Sequence, residues 1–171
     1  MSRQSAETAV SGGPCAAKET AAHDKPHERR ATVRAGVDWR DACQGEEAPT
    51  LTNLGIGDTA EEWHDRFLIR SNSQMAHAIF IACGNTLKSK SHWNMARTGT
   101  TLQDALPDGL RDRFADGCQK SLDEGCPVTV EGSYHDEGLS EFLFRCVMMP
   151  VQALNNGADF VYGAYSHKIA A

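Results

Sequence analysis

The sequence predicts an α+β domain: a five-stranded antiparallel sheet with one long helix and short connector helices on one face, preceded by an N-terminal extension. Two observations lead to this prediction. Strand-like runs stand at both ends of residues 66–171, and the most clearly amphipathic helical stretch lies between them. A chain of 171 residues suits one domain with a tail better than two full domains.

The first fifty residues are rich in Ala, Gly, Ser, Thr and charged side chains and contain few large apolar ones. Such a composition offers little apolar surface to offset the entropy of ordering the chain. We therefore expect residues 1–50 to form a mostly disordered extension and residues 51–171 to form the folded domain. Within the extension, a short helix is a candidate at residues 33–43, where Val33, Val37, Trp39 and Cys43 have a weak helical period.

A short amphipathic helix is predicted to open the domain. Asp58 and Glu61 have the spacing of a capping box, and Ala60, Trp63 and Phe67 follow at three- and four-residue intervals. Residues 67–70 and 77–83 are apolar and rich in strand-forming side chains, with the polar residues 71–74 between them. This pattern predicts an antiparallel hairpin.

Residues 86–101 are polar and irregular, which favours short helical turns anchored by Leu87, Trp93 and Met95. The long helix follows at residues 107–125. Its apolar side chains recur every four residues, at Leu110, Phe114, Cys118 and Leu122. Pro107 suits the first turn of this helix, and Gly125 suits a left-handed stop.

Three further strands are predicted at residues 128–134, 141–149 and 159–166, joined by turn-like sequences. Alternation places Phe142, Phe144, Cys146 and Met148 on one face, which is the natural seat for the long helix. The opposite face is also half apolar, so another element must cover it. We expect the opening helix or a second subunit to do so, which predicts an interface made by Trp63, Phe67, Leu143 and Val147.

Charge and apolar content limit the partners and the compartment. Lys and Arg number 17 against 23 Asp and Glu, a net charge of −6, so no general positive field draws the chain to nucleic acid or to a membrane surface. The first thirty residues contain no apolar leader, and the longest apolar runs are too short to span a bilayer. The cytoplasm is therefore the expected location. The six cysteines form no C-x-x-C pair, so no metal site is expected.

The order of these elements resembles the PAS domain. Residues 66–83 look like its opening hairpin, 85–106 its helical connector, 107–124 its long helix and 128–167 its closing strands. Two short motifs are similar to those of divergent stand-alone bacterial PAS proteins: Val147-Met-Met-Pro150, and the aromatic-Gly strand Phe160-Val-Tyr-Gly163. The resemblance implies a cytoplasmic sensor or dimerisation module, which often binds a small molecule between the long helix and the sheet.

The resemblance does not name a cofactor. Flavin-binding photosensory members carry a reactive cysteine in a Gly-x-Asn-Cys motif, whereas this chain reads Gly84-Asn-Thr-Leu-Lys-Ser-Lys at the same place. Haem-binding members usually supply an axial His from the long helix, and residues 107–125 contain none. Cys118 or His92 could in principle ligate iron, but a Cys on an apolar helix face is usually structural. The cofactor therefore stays unknown.

A possible apolar pocket remains, although side chains at these spacings more often form plain core. Its walls would be Phe80, Trp93, Phe114, Cys118, Phe144, Met148 and Tyr162. A buried Tyr hydroxyl or Trp N–H needs a polar partner, which a ligand could supply.

Enzyme signatures are weak throughout. Gly55-Ile-Gly57-Asp-Thr-Ala60 matches G-x-G-x-x-A but lacks the strand–helix–strand context of a dinucleotide site. His135-Asp136-Glu137 could act in acid–base chemistry if enclosed, yet it falls in a predicted turn. We therefore expect a non-catalytic module that binds a small molecule, a second copy of itself or a separate signalling protein. The alternatives are a small α+β enzyme of the ketosteroid-isomerase type and a purely structural adaptor.

Overall fold

The computed structural model describes residues 26–55, 63–90, 93–95, 99–152 and 159–170. Five strands form one antiparallel sheet in the order β2-β1-β5-β4-β3. The elements in chain order are α1 (Pro26–Cys43), β1 (Arg66–Arg70), β2 (Ile79–Cys83), α2 (Asn85–Lys90), α3 (Leu102–Ala105), α4 (Asp108–Glu124), β3 (Val128–His135), β4 (Glu141–Val151) and β5 (Phe160–Ile169). The predicted α+β class and the five-stranded sheet are confirmed.

Three of the four strand pairings are local hairpins, and the fourth joins the two ends of the domain. The predicted β1–β2 hairpin forms, as do the β3–β4 and β4–β5 pairs. Strand β1 also pairs with β5, with Phe67 opposite Gly163. This pairing places the opening hairpin beside the last strand and completes the sheet.

Helix α4 lies on the predicted face of the sheet. It begins after Pro107 and ends at Gly125, whose φ of 66° is the left-handed stop expected from the sequence. Leu110, Phe114 and Cys118 are fully buried. They belong to the same apolar cluster as the inward side chains of β4, which are Phe142, Phe144, Cys146 and Met148. We call this cluster, which also takes in Phe67, Phe80, Trp93, Tyr134 and Tyr165, the inner core.

The opposite face of the sheet carries a second apolar cluster, which we call the outer cluster. The sheet contributes Leu68, Val147, Met149, Val151, Phe160, Tyr162 and Ala164. Helix α1 covers it with Ala35, Trp39 and Cys43, and Trp63 packs beside them. Residues 48–54 pack against its margin through Ala48, Leu51 and Leu54.

Helix α1 corrects the expectation that residues 1–50 are disordered. For Pro26–Cys43 that expectation is wrong, because Ala35, Trp39 and Cys43 recur every four residues and bury one helical stripe against the sheet. The exposed side chains of Val33 and Val37 lie off that stripe, which weakens the apolar period in the sequence. Residues 1–25 lie outside the described part of the chain. No helix in that part is long and apolar enough to span a bilayer.

The structure describes only the last part of the predicted opening helix. Residues 56–62 lie outside the described residues, and Trp63 begins a short turn that leads directly into β1. Phe67 belongs to strand β1 rather than to a helix, and its side chain points into the inner core. The strand predicted at residues 67–70 is therefore right for Phe67, and the three- and four-residue spacing from Ala60 and Trp63 does not make Phe67 part of a helix.

Gly163 explains the aromatic-Gly pattern of β5. A Cβ at this position would collide with the ring of Phe67 and with the backbone carbonyl oxygen of Val147. The missing side chain lets the Phe67 ring from β1 lie across β5 inside the inner core. The glycine is therefore needed for close approach of a neighbouring side chain.

Replacing Gly163 with Ala should destabilise the fold by about 1–3 kcal/mol, the usual cost of inserting a methyl group into a filled core. Gly36→Ala is the matched control, because nothing lies within 4 Å of the added Cβ in α1. The control should gain about 0.5–1 kcal/mol from helix propensity. Urea unfolding measures both free energies. A Gly163→Ala protein as stable as the wild type would contradict this packing.

Candidate functional site

The inner core is centred on the indole of Trp93. Its ring centroid lies 4.7 Å from that of Tyr165, 5.6 Å from those of Phe80 and Phe114, and 6.4 Å from that of Phe67. These are contact distances for aromatic pairs. Only 5% of Trp93 is exposed, so the indole fills the space between helix α4 and the sheet.

Six of the seven predicted pocket residues come together in this core: Phe80, Trp93, Phe114, Cys118, Phe144 and Met148. They lie on β2, the segment 93–95, α4 and β4. The rings pack against one another, with Trp93 in the middle rather than at a wall. Their role in binding a ligand stays a prediction.

The prediction that the seventh residue, Tyr162, lines the same pocket is wrong. It stands opposite Met149 in the β4–β5 ladder and faces the outer cluster. The tyrosine of the inner core is Tyr165, opposite Cys146. Every residue of β5 from Phe160 to Tyr165 is buried, so alternation of polarity along the strand could not tell the two faces apart.

A pair of tyrosine hydroxyls forms the polar end of the inner core. The hydroxyl oxygens of Tyr134 and Tyr165 are 3.0 Å apart, and both residues are almost completely buried. Burial raises the pKa of Tyr165 far above 10.0; Tyr134 and Cys146 raise it further, while a side-chain hydrogen bond from Trp93 lowers it. The pKa of Tyr134 is raised mainly by burial. The pair is therefore neutral and offers hydrogen bonds rather than charge.

The outer cluster is closed by a few polar contacts between α1 and the sheet. The guanidinium of Arg66 on β1 lies 2.5 Å from the Asp38 carboxylate and donates to the Tyr162 hydroxyl at 2.7 Å. The indole N–H of Trp39 donates to the carbonyl oxygen of Pro150 at 2.8 Å. Burial raises the pKa of Tyr162, and the Arg66 charge partly offsets that effect.

The four predicted interface residues divide between the two faces. Trp63 and Val147 belong to the outer cluster, and Leu143, which lies opposite Lys168, is half-buried. Phe67 lies in the inner core, so its assignment to an outer interface is wrong. Helix α1 of the same chain packs with Trp63 and Val147 in the outer cluster, a cover that the sequence did not predict. The interface itself stays a prediction.

The candidates for catalysis and metal binding are not drawn together. His135 is exposed at the end of β3, and Asp136 accepts a hydrogen bond from the backbone N–H of Ser140, which shapes the turn. Within the described residues, no three His, Cys, Asp or Glu side chains cluster as metal ligands. Cys118 is fully buried in the inner core, and His92 lies outside the described residues.

The strand order, with the long helix between β2 and β3 in sequence and against the inner face in space, is that of a PAS-like fold. No protein-family model matches this chain, and no curated protein matches it. The similarity is therefore one of architecture.

Solved PAS and LOV domains are similar to this chain at low identity. A PAS domain from a two-component sensor histidine kinase is 12% identical over 60% of this chain and 85% of that chain, with a TM-score of 0.39. A variant of RsLOV is 13% identical over 63% of each chain, with a TM-score of 0.42. The light-state dimer of the fungal blue-light photoreceptor Vivid is 14% identical over 87% of this chain and 99% of that chain, with a TM-score of 0.40.

Alkaline pH should destabilise this protein. Burial raises the pKa values of the Cys118 and Cys146 thiols well above the ordinary 9.0, and that of Cys83 to about 11. As the pH rises, these thiols lose their protons in the unfolded chain before they do so in the folded protein. Their contribution to the free energy of unfolding is therefore fully present below pH 9.0 and falls as the pH rises toward the folded-state pKa values. Urea unfolding between about pH 8 and about pH 11 measures this loss.

Cys118→Ala should reduce that loss by about 1.4 kcal/mol per pH unit above the pKa of the unfolded thiol. The reason is that one thiol fewer differs in protonation between the folded and the unfolded chain. An unfolding free energy that stays constant across the range in the wild type would contradict the burial of these thiols.

Proposed function

We propose that this chain is a non-catalytic PAS-type sensory or protein-interaction module. It signals by binding a small molecule in the inner core, by associating with a second copy or a partner protein, or by coupling the two. The observation that carries the proposal is a single sheet with two different apolar faces, one closed by α4 around Trp93 and the other closed by α1. The expected setting is the cytoplasm, and the expected partner is a second copy or a signalling protein.

Strand β5 offers a physical route between the two faces. Tyr165 contacts Trp93 and Tyr134 in the inner core, while Tyr162, three residues earlier, bonds to Arg66 and through it reaches Asp38 of α1. A shift of β5 on one face therefore moves a hydrogen-bond partner on the other. A ligand can use this route only if it binds one arrangement of the core more tightly than the other.

Helix α1 is the element whose release would change association. Its departure would expose a set of large apolar side chains on one face of the sheet, including Leu68, Val147 and Met149. Contiguous apolar patches of this kind commonly become protein–protein contacts. The predicted interface residues Trp63 and Val147 would then be accessible.

A non-catalytic role agrees with the chemistry of the inner core. Among the described residues, the buried polar or charged side chains are those of Thr32 and Ser121, neither of which is a carboxylate or a lysine. An enzyme of the ketosteroid-isomerase type needs an acid or base within its pocket. We therefore favour the non-catalytic role over the ketosteroid-isomerase alternative.

Trp39→Ala should release α1 and make the protein self-associate. The substitution removes a buried indole and its hydrogen bond to the carbonyl oxygen of Pro150. It should lower the free energy of unfolding by about 3–5 kcal/mol. Sedimentation analysis measures the association, and hydrogen exchange of α1 measures the release. Val37→Ala, which shortens an exposed side chain on the same helix, is the control and should stay like the wild type. Loss of protection in α1 without association would refute the role of the outer cluster.

Native mass spectrometry and an absorbance spectrum of the purified protein test the ligand-binding part. A retained small molecule in stoichiometric amount would support sensing. A ligand-free protein that also stays monomeric after release of α1 would leave the structural adaptor as the remaining function.

A further inference from the structure

The two edges of the sheet differ in how the chain covers them. At the β2 edge, the N–H of Phe80 donates to the carbonyl oxygen of Thr100 at 3.0 Å, and the N–H of Gly99 donates to the carbonyl oxygen of Phe80 at 3.1 Å. Residues 99–101 therefore cover that edge. Strand β3 forms the other edge, where it pairs with β4 on one side. Within the described residues, no segment adds backbone hydrogen bonds along its other side.

The register shows which backbone groups of β3 point outward. The N–H of Asp136 donates to the carbonyl oxygen of Ser140, so these residues form a hydrogen-bonded pair in the β3–β4 hairpin. Hydrogen-bonded and non-hydrogen-bonded pairs alternate along an antiparallel ladder. The even-numbered residues of β3 therefore bond to β4, and the odd-numbered residues direct their N–H and C=O groups away from it. The outward residues are Thr129, Glu131, Ser133 and His135.

These outward groups can pair with another strand. Val128–His135 has 8 residues, which exceeds the usual strand length of about 5–6. Thr129, Glu131 and His135 are exposed, so an extended chain can reach their backbone. An unpaired strand edge of this kind accepts an extended peptide as an additional strand, and the main-chain hydrogen bonds supply the affinity.

Arg113 of α4 gives this edge a positive charge. Its guanidinium lies against Gly132 and 5.0 Å from the centroid of the Phe144 ring. It donates to the outward carbonyl oxygen of Ser133, which keeps a second lone pair for the N–H of an added strand. Among the described residues, no carboxylate forms an ion pair with Arg113. The guanidinium is therefore available to a carboxylate from another chain.

A second copy of this chain suits the β3 edge poorly. A two-fold antiparallel pairing of β3 with itself must be centred on Glu131 or on Gly132 to overlap along nearly the whole strand. The first register places two Glu131 carboxylates opposite each other, and the second brings two Arg113 guanidiniums together. Like charges directly opposite each other are destabilising. The charges at this edge thus favour a different chain.

We propose that the β3 edge binds an extended segment of a partner protein as an additional strand, with a carboxylate side chain against Arg113. This inference rests on the proposed function and deepens its protein-interaction part. Half-buried Val130 packs against the inner core on the same face of β3 as Gly132 and leaves part of its side chain to the added strand. The partner segment therefore carries apolar side chains on either side of its acidic residue, all on one face.

Proton–nitrogen NMR of the full chain, titrated with two synthetic peptides, tests the proposal. The first probe is acetyl-Thr-Val-Thr-Glu-Thr-Val-Thr-amide, in which strand alternation places Val, Glu and Val on one face. It should shift the backbone amide signals of Thr129, Glu131 and Ser133. The second probe has Lys in place of Glu and should bind about tenfold more weakly, because it brings a like charge to Arg113. Signals that stay in place at millimolar concentrations of the first probe overturn the proposal.

Thr129→Pro tests whether the probe binds at this edge. The substitution removes an outward N–H that β4 does not use, and proline is tolerated on edge strands where the N–H faces solvent. It should weaken binding of the first probe about tenfold, because a backbone hydrogen bond is lost and the strand is kept at a distance. Thr129→Ala, which keeps the N–H, is the matched control and should bind like the wild type. Urea unfolding confirms that both variants fold. Unchanged binding by Thr129→Pro would place the probe elsewhere and overturn the proposal.

Arg113→Gln tests the choice of a carboxylate without altering the strand. Glutamine still donates a hydrogen bond but has no charge, so this variant should bind the two probes with similar affinity. Arg113→Lys keeps the charge and should keep the preference for the first probe. Equal affinity of the wild type for both probes would show that Arg113 selects no carboxylate, and the assigned partner class would be wrong.

Sedimentation of the wild type identifies the occupant and separates this inference from the function on which it rests. A dimer that Thr129→Pro dissociates would mean that a second copy occupies the edge, which overturns the assignment to a partner segment. If neither probe binds but release of α1 still drives association, the inference is wrong and the proposed function stands. Failure of the probe titration together with failure of the α1 and ligand experiments removes both proposals.

Discussion

The pairing of β1 with β5 is the contact on which the rest of this structure depends. It joins residues almost one hundred positions apart in sequence and places Phe67 across Gly163. Side chains alternate along β1, so the same short strand supplies Phe67 to the inner core and Arg66 and Leu68 to the outer face.

The two faces are closed by different kinds of interaction. Helix α4 closes the inner core almost wholly through apolar and aromatic packing, with the tyrosine pair as its polar end. Helix α1 closes the outer cluster with one buried tryptophan, smaller side chains and the Asp38–Arg66 contact, in which half of the aspartate side chain is exposed. Partly exposed ion pairs contribute about 1 kcal/mol or less. The ion pair therefore contributes little, and the outer closure depends mainly on apolar packing around Trp39.

The aromatic content of the inner core has two consequences for function. Close ring packing gives a well-defined core, because aromatic pairs at 4.7–5.6 Å favour particular tilts. The same packing leaves the centre of the core to one side chain, that of Trp93, carried by a segment outside the regular elements. A ligand that enters this core therefore has to displace ring contacts that the core already makes.

Sequence alone determined the elements whose signals are local. The four-residue apolar spacing of α4, its Pro107 start and Gly125 stop, and the alternating faces of β4 all followed from side-chain chemistry over a few residues. Only the tertiary structure decided the rest. The faces of Tyr162 and Tyr165 depend on the register with β4, since both sides of β5 are buried. The order of α1 depends on the sheet face that its single stripe covers, because in isolation so short a stripe cannot offset the entropy of folding.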